Sequence, residues 1–486
     1  VKVETLLRRL GDGKLAGDGG VRVKGITHDS RQVVPGNVFA AIPGEHVHGV
    51  KFVDQAAQAG AAAVLSDRQR PKRIDLPWIK VKKPRPAMAQ AALILAGNPQ
   101  KKLRLVAVTG TNGKSTTAHL ISTVLNAAGL KTAFIGTLGA QMPDGTERAC
   151  ERTTPEATDL AVLLREAVTA GAEAVAMEVS SHALCQNRVS GLKFEIAVWT
   201  NLTRDHLDFH LDMESYFEAK ARLFTDHLAA KGRRVLPVDD PWGARLLDDP
   251  SDGDVSWGLD RGAVCARMVT SDLEGSQFTL RLPETEIAVR LPLVGVHNLR
   301  NGLAAAGAAH AVGLKAKEIR RGLKRGKPLS GRLERIKTPR PFPVFVDYAH
   351  TPEGLRAVLQ ALGRVTDRRL IVVFGAGGDR DQGKRGPMGY AVGELADLAI
   401  VTSDNPRSED PAVIAEAVAD GVRAAGAKPM VVLDRREAIR VAFEEADERS
   451  LVLVAGKGHE AYQTVGDVKT PFSDQDVART EARRSR

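Results

Sequence analysis

The sequence predicts an α/β fold in three units, with boundaries that give residues 1–97, 98–330 and 331–486. Three observations carry this. At 486 residues the chain exceeds what one hydrophobic core organises, so about two to four domains are expected. Apolar strand-like runs alternate with helical stretches, the pattern of parallel sheets joined by crossover helices. Those runs end in polar or Gly-rich loops, where open α/β sheets carry their chemistry.

In the first unit, short apolar strands alternate with Gly/Pro turns, as in V-V-P-G-N-V-F-A-A-I-P-G at 33–44. A charged, Pro-containing stretch at 81–86 leads into an Ala-rich helical pattern that ends at Gly97. After N-P-Q-K-K (98–102), the run at 103–108 reads as a buried strand, followed by a Gly-rich turn and an amphipathic helix from Ser115. Strand and helix alternate to about residue 225; residues 230–292 are richer in short alternating strands, and a helical Ala/Gly segment covers 298–312. K-P-L-S-G-R at 327–332 reads as a linker. Beyond it, apolar strands recur at 343–348, 370–375, 398–403 and 451–456.

Composition narrows the class. Apolar residues are 43% and charged residues 26%, ordinary for a folded soluble protein. No run approaches the roughly eighteen apolar residues of a membrane helix. The opening V-K-V-E-T-L-L-R-R-L has no signal-peptide core, so a cytoplasmic location is expected. Cys150, Cys185 and Cys265 lie far apart and suggest neither a disulfide framework nor a zinc site. The net charge of +10 points to anionic partners. Nucleic acid is one such partner, but basic residues are dispersed and aromatics only 4%, and anionic small molecules fit equally well.

The strongest local signal is T-G-T-N-G-K-S-T at 109–116, between a strand and a helix. Gly110, Thr111, Asn112, Gly113 and Thr116 supply a turn whose N–H groups can close on phosphate oxygens. Lys114 brings a point charge to the β/γ-phosphates, and the Ser115 hydroxyl can ligate Mg2+. The loop departs from G-x-x-x-x-G-K-[ST], because Val108 stands five residues before Gly113. It implies a nucleotide without naming a reaction. Downstream, Glu178 follows an apolar run, where a strand-end carboxylate can face Mg2+, and Asp205, His206 and Asp208 cluster after another. Lys220, in Y-F-E-A-K-A-R-L-F, reads on its own as a solvent-facing helical lysine.

Further motifs occur in a fixed order: H-D-S-R-x-V-x-P-G-x-x-F (28–39), M-E-V-S-S-H (177–182), N-L-T-x-D-H-L-D (201–208) and G-x-H-N-x-x-N (295–301). They continue with S-G-R-L-E (330–334), D-Y-A-H-T-P (347–352), F-G-x-G-G-D-R-D-x-G-K-R (374–385), D-N-P-R (404–407) and G-K-G-H-E (456–460). With the phosphate loop, this set closely resembles the Mur ligases over essentially the whole chain. Those enzymes are ATP-dependent amide ligases acting on UDP-linked muramoyl peptides. Two positions depart from the family habit: Leu211 where glycine is common, and Trp199 where phenylalanine is frequent.

The resemblance implies an N-terminal UDP-binding α/β domain, a central P-loop ATPase domain and a C-terminal Rossmann-like domain for the amino acid. His28, Ser30 and the segment Glu45, His46, Val47 match uridine-nucleotide contacts. Thr153, Thr154, Ser180, Gln186 and Arg188 match contacts to the muramoyl peptide. Glu178, His206 and Ser115 match magnesium ligands, and Lys220 matches a lysine that the family carbamylates; Lys114, Lys220, His206 and Glu178 are the expected catalytic set. Asn298, Arg332 and Asp347 match ATP contacts. Arg380, Asp404, Asn405, Pro406, Arg407, Gly456 and Glu460 match the pocket for the incoming amino acid. The implied reaction passes through an acyl phosphate. H-D-S-R argues against a folate-type ligase, and D-N-P-R with G-K-G-H-E argues against the member adding D-Ala-D-Ala. Arg407 favours diaminopimelate over L-lysine. A monomer, Mg2+, and ATP as a substrate complete the expectation.

Overall fold

The structure, a computed structural model, describes residues 1–44 and 47–484. The chain divides into two compact units. The first comprises Val1–Arg267, Leu280–Ile287 and Asn301–Leu323. The second comprises Met268–Thr279, Ala288–Arg300 and the chain from Lys324 onward.

The first unit carries two sheets. Five strands form the N-terminal one, in the order Lys14–Ala16, Trp78–Lys80, Ala63–Ser66, Asn37–Ala41, Gly25–Thr27. All pairings are parallel except that of the Lys14–Ala16 edge. Asn37–Ala41 and Ala63–Ser66 are almost wholly buried, as continuous apolar runs in a parallel sheet should be. The Ala-rich pattern is the helix Pro84–Leu95, with proline in its first turn, where no backbone N–H is needed. Ala91 and Ile94 pack with Val38 and Leu65 of this sheet. Met88 and Ala89 pack with Ala157, from a helix of the next sheet. One helix thereby serves both sheets, so residues 1–97 share a compact unit with most of 98–330, while 268–279, 288–300 and 324–330 fall in the other unit.

The second sheet has eight strands, ordered Val255–Trp257, Leu228–Pro237, Phe194–Trp199, Arg104–Thr109, Ala174–Glu178, Thr132–Gly136, Gly139–Gln141, Glu147–Arg148. Its first six are mutually parallel, and the last two form an antiparallel edge. Winding reverses at Arg104–Thr109, which is flanked by Ala174–Glu178 and Phe194–Trp199. In register, Glu178 is level with Val108 and Trp199 with Thr109. Three neighbouring strands thus open their carboxyl ends together, where ligands bind in open α/β sheets.

In the second unit six strands run Glu334–Ile336, Val344–Asp347, Ser450–Ala455, Arg369–Phe374, Leu398–Val401, Met430–Val431, parallel except for the first. Helices cover both faces, one through Leu355, Leu359, Met388 and Val418, the other through Ile439, Phe443 and Val477. A hairpin, Tyr462–Val465 with Val468–Pro471, adds to the expected elements. Among the described residues no helix is long and apolar enough to cross a membrane. The three cysteines are unbonded.

Candidate active site

The phosphate loop is held by the loop leaving Phe194–Trp199. Thr111 N donates to Asn201 O at 2.8 Å, Asn112 N to Asn201 Oδ1 at 3.0 Å, and Thr200 Oγ1 to Asn112 O at 2.6 Å. Lys114 then opens the helix Lys114–Ala127, with Ser115 buried in its first turn. Gly113 has φ +81°, and a Cβ there would lie 2.2 Å from Asn301 Oδ1. Asn301, whose Oδ1 also accepts from Thr117 Oγ1 at 3.3 Å, is a loop-shaping residue absent from the expected set. It is the second asparagine of G-x-H-N-x-x-N.

Two lysines converge on this loop. Lys114 Nζ donates to Gly110 O at 3.0 Å and Thr111 O at 2.8 Å. Lys220 Nζ donates to the same Gly110 O at 2.7 Å. The solvent-facing reading of Lys220 is corrected here, since the residue is only 1% exposed. Burial, reinforced by the charge on Lys114, pushes its amine well below the usual lysine range; Asp205 and Cys185 oppose this. Tyr216 lies beside it, 4.5 Å from Nζ to the ring centre, with its hydroxyl 3.3 Å from Thr111 Oγ1.

Glu178 ends its strand buried, accepting from Thr137 N at 2.8 Å and Thr137 Oγ1 at 3.3 Å. Its backbone carbonyl accepts from Thr154 Oγ1 at 3.0 Å, and Ser180 N donates to that same hydroxyl at 3.0 Å. Thr137 Oγ1 reaches Thr153 Oγ1 at 3.1 Å. Arg188 donates to Thr154 O at 3.0 Å and Gln186 Oε1 at 2.6 Å, while Nε lies 3.0 Å from the buried Glu156. The structure therefore brings Thr153, Thr154, Glu178, Ser180, Gln186 and Arg188 into one hydrogen-bonded patch.

His206 is the residue before the turn Leu207–His210, with φ +53°. Its ring meets His182 edge-on at 4.9 Å and Tyr216 at 6.1 Å, and pairs with Asp205 at 3.4 Å. Tyr216 thus adjoins His206, Lys220 and Thr111. Among the described residues no three His, Cys, Asp or Glu side chains form a ready metal cage. Leu211, which ends this turn at φ +69° and is 84% exposed, occupies a conformation that favours glycine. Relief of about 1–2 kcal/mol of backbone strain, less the entropy glycine gives up, should make Leu211→Gly more stable by about 0.5–1 kcal/mol. A urea midpoint that falls would refute this. Trp199 is also accommodated, its Nε1 donating to Asp240 Oδ2 at 3.0 Å.

At the N-terminal sheet, Asp29 accepts from Arg31 N and closes the turn that holds Ser30, whose hydroxyl donates to Gln55 Oε1 at 2.9 Å. His28 is half-buried. Val47 is exposed, while Glu45 and His46 lie outside the described residues.

The second unit gathers its own set. Asp347, at a strand end, accepts from Leu333 N at 2.5 Å and Ala349 N at 2.7 Å. Burial raises its carboxyl, and Arg332 pulls it back. Arg332 lies 4.8 Å above the Tyr348 ring, which meets His459 at 5.0 Å. This joins Arg332 to the loop carrying Gly456 and Glu460. Asn298 donates to Val294 O at 2.9 Å.

Asn405 Nδ2 donates to Glu460 Oε2 at 2.9 Å, while its Oδ1 accepts from Lys457 Nζ at 3.1 Å and Thr464 N at 2.9 Å. The amide orientation is thereby set on both sides. Lys457, fully buried and 3.3 Å from Glu460, is a second residue the expected set lacked; its place inside G-K-G-H-E was the available signal. Arg407, behind the buried Pro406, donates to Gly378 O at 2.5 Å. Its backbone is paired to the hairpin through Thr464 O and Gly466 N. Arg380 is exposed and donates to Asp379 O at 3.1 Å on the same glycine loop.

Comparisons with known proteins identify the family. Residues 22–94 match the Mur ligase family catalytic domain, 108–309 the Mur ligase middle domain and 331–458 the Mur ligase glutamate ligase domain. The chain is 43% identical to the UDP-N-acetylmuramoyl-L-alanyl-D-glutamate--2,6-diaminopimelate ligase of Geobacter metallireducens, over 98% of this chain and 97% of that one. With the protein of that name from Gloeobacter violaceus it shares 45% identity over 96% and 95%. A solved structure bearing the same name superimposes with a TM-score of 0.71 at 31% identity, over 99% and 98% of the two chains. Likeness of this strength over nearly the full length leaves one conclusion: the chain belongs to the Mur ligase family.

Proposed function

We propose that the protein joins meso-diaminopimelate to the D-Glu side-chain carboxylate of UDP-N-acetylmuramoyl-L-alanyl-D-glutamate, with ATP as the second substrate, in peptidoglycan synthesis. The observation that carries the reading is the charge layout of the second unit's loops. Glu460, held by Asn405 and Lys457, offers an acceptor for an ammonium, and the Arg407 fork offers donors for a carboxylate. The side chain of diaminopimelate ends in both.

The chemistry follows from making a carboxylate acylating. A D-Glu side-chain oxygen attacks the γ-phosphorus of ATP, the bond to ADP breaks, and an acyl phosphate forms. The incoming amine attacks its carbonyl carbon, the C–O bond to phosphate breaks, and the nitrogen loses a proton. Lys114 neutralises charge on the transferring phosphoryl group, and the loop N–H groups orient it. Thr154, Ser180 and Arg188 hold the peptide. Arg332, Asp347 and Asn298 hold the nucleotide, while Asp404, Gly456 and Arg380 complete the amino-acid pocket. His28, Ser30 and Val47 contact the uridine nucleotide.

The donors fit Mg2+, a hard cation that prefers oxygen: Glu178, the Ser115 hydroxyl and a carbamate on Lys220, with His206 as the nitrogen exception. When bound, Mg2+ supplies positive charge to phosphoryl oxygens. We assign domain boundaries at 97/98 and 330/331, a monomer, small-molecule partners only and a cytoplasmic location. Phosphate release with the UDP-muramoyl dipeptide and ATP, adding each candidate amino acid in turn, tests the reading. Release should require all three substrates and be fastest with meso-diaminopimelate; release with no dependence on the dipeptide would overturn it.

A further inference from the structure

Beneath the amino-acid loops lies an ion pair that the reaction scheme does not use. Arg435 opens the helix Arg435–Glu445 and Asp474 the helix Asp474–Glu481, and both side chains are 0% exposed. Nε and Nη2 of Arg435 each lie 2.7 Å from an Asp474 oxygen. Nη2 also donates to Ala455 O at 3.0 Å, and Nη1 reaches Ser403 O at 3.5 Å. Ala455 and Ser403 immediately precede Gly456 and Asp404.

The strands feeding these two loops do not pair, because Arg369–Phe374 lies between them. One guanidinium therefore spans the middle strand and fastens the root of D-N-P-R to the root of G-K-G-H-E. Clearance between the roots is small: a Cβ on Gly456, at φ +120°, would sit 2.7 Å from Asp404 Oδ2 and 3.8 Å from Arg435 Nη2. Further along, the loops meet again through Asn405, Lys457 and Glu460. A packed apolar pair of the same volume would hold two helices at least as well as a buried ion pair. It could not donate to the carbonyls at both loop roots at once.

We infer that Arg435, held by Asp474, is a positioning residue that sets the spacing of loops 404–407 and 456–460 and so governs affinity for the incoming amino acid. The inference rests on the assignment of those loops to that substrate. Three variants of the full-length protein test it: Asp474→Asn, Arg435→Lys and the apolar double variant Arg435→Met with Asp474→Leu. KM for meso-diaminopimelate should rise by about tenfold or more, with KM for ATP and for the dipeptide within about twofold. Amide hydrogen exchange at 404–407 and 456–460 should accelerate by about tenfold, with 110–116 unchanged. The double variant should show both effects while keeping its thermal midpoint, which separates positioning from loss of fold. Unchanged loop exchange in a folded variant, or an equal rise in all three KM values, overturns the inference. If the wild type fails to ligate diaminopimelate, the functional reading falls, and loop exchange still decides whether the clip sets the loops.

Discussion

Replacing Lys220 by alanine is expected to lower turnover by about a thousandfold, with Lys220→Glu recovering a measurable part. Two ammonium groups cannot comfortably share the Gly110 carbonyl in a dry site, and burial and Lys114 both press Lys220 towards its neutral amine. A neutral amine can attack CO2: a N–C bond forms, a proton leaves, and the side chain becomes a carbamate anion. Repulsion from Lys114 then turns to attraction, and the side chain would offer two oxygen donors suited to the proposed Mg2+. Glutamate carries the same charge on a shorter stem, hence its partial rescue. Lys114→Ala should also lose activity by about a hundredfold or more without unfolding, because it removes charge at the phosphates rather than core packing. Steady-state turnover, thermal unfolding and carbon-13 NMR in labelled bicarbonate check these claims. A near-normal Lys220→Ala rate, or no carbamate signal in active wild-type protein, would sink the first.

Lys220 also marks where sequence reading stopped short. The phosphate loop and the strand-end acids were legible because each is a local pattern, an apolar run followed at once by its polar loop. The burial of Lys220 was encoded less directly. It stands four residues after Tyr216 and three before Leu223, on the same helical stripe as Phe217 and Phe224, all buried. A lysine on an apolar stripe is a desolvated lysine, and that signal outweighs the usual expectation for a charged side chain. The hairpin was similarly available, since V-G-D-V at 465–468 places Gly-Asp as a two-residue turn between alternating strands.

Other features had no local signature. Arg435 and Asp474 are 39 residues apart, and nothing near either announces the pair. Asn301 acts across a separation of 184 residues on Thr117. Met88 and Ala89 meeting Ala157 helps group the first two sheets into one unit, a contact that hydrophobic patterning permits without specifying. Chemistry was thus read from strand ends, while the supports that hold it in place came from long-range packing.

The second large effect concerns the choice of amino acid. Arg407→Ala is expected to lower kcat/KM for meso-diaminopimelate by about a hundredfold while changing that for L-lysine by no more than about threefold. The two substrates differ by one distal carboxylate, so discrimination requires a group that is left unpaired by lysine. Arg407 meets that need through a constrained geometry. Its φ is +51°, Thr464 and Gly466 hold its backbone, and its Nη1 is anchored on Gly378 O. The fork is thereby pre-set, with little side-chain entropy left to lose on binding. With L-lysine bound, a half-buried guanidinium would lack its anion, an unmet charge of about 2–3 kcal/mol. Glu460, by contrast, is proposed to face the ammonium that both substrates carry, so Glu460→Gln should weaken both. Arg407→Lys separates charge from fork: a point cation can attract the carboxylate but cannot bind it bidentately, and it should restore only part of the preference. Parallel initial-rate measurements with the two amino acids decide the matter, and an Arg407→Ala variant that keeps the wild-type preference would remove Arg407 from the specificity pocket.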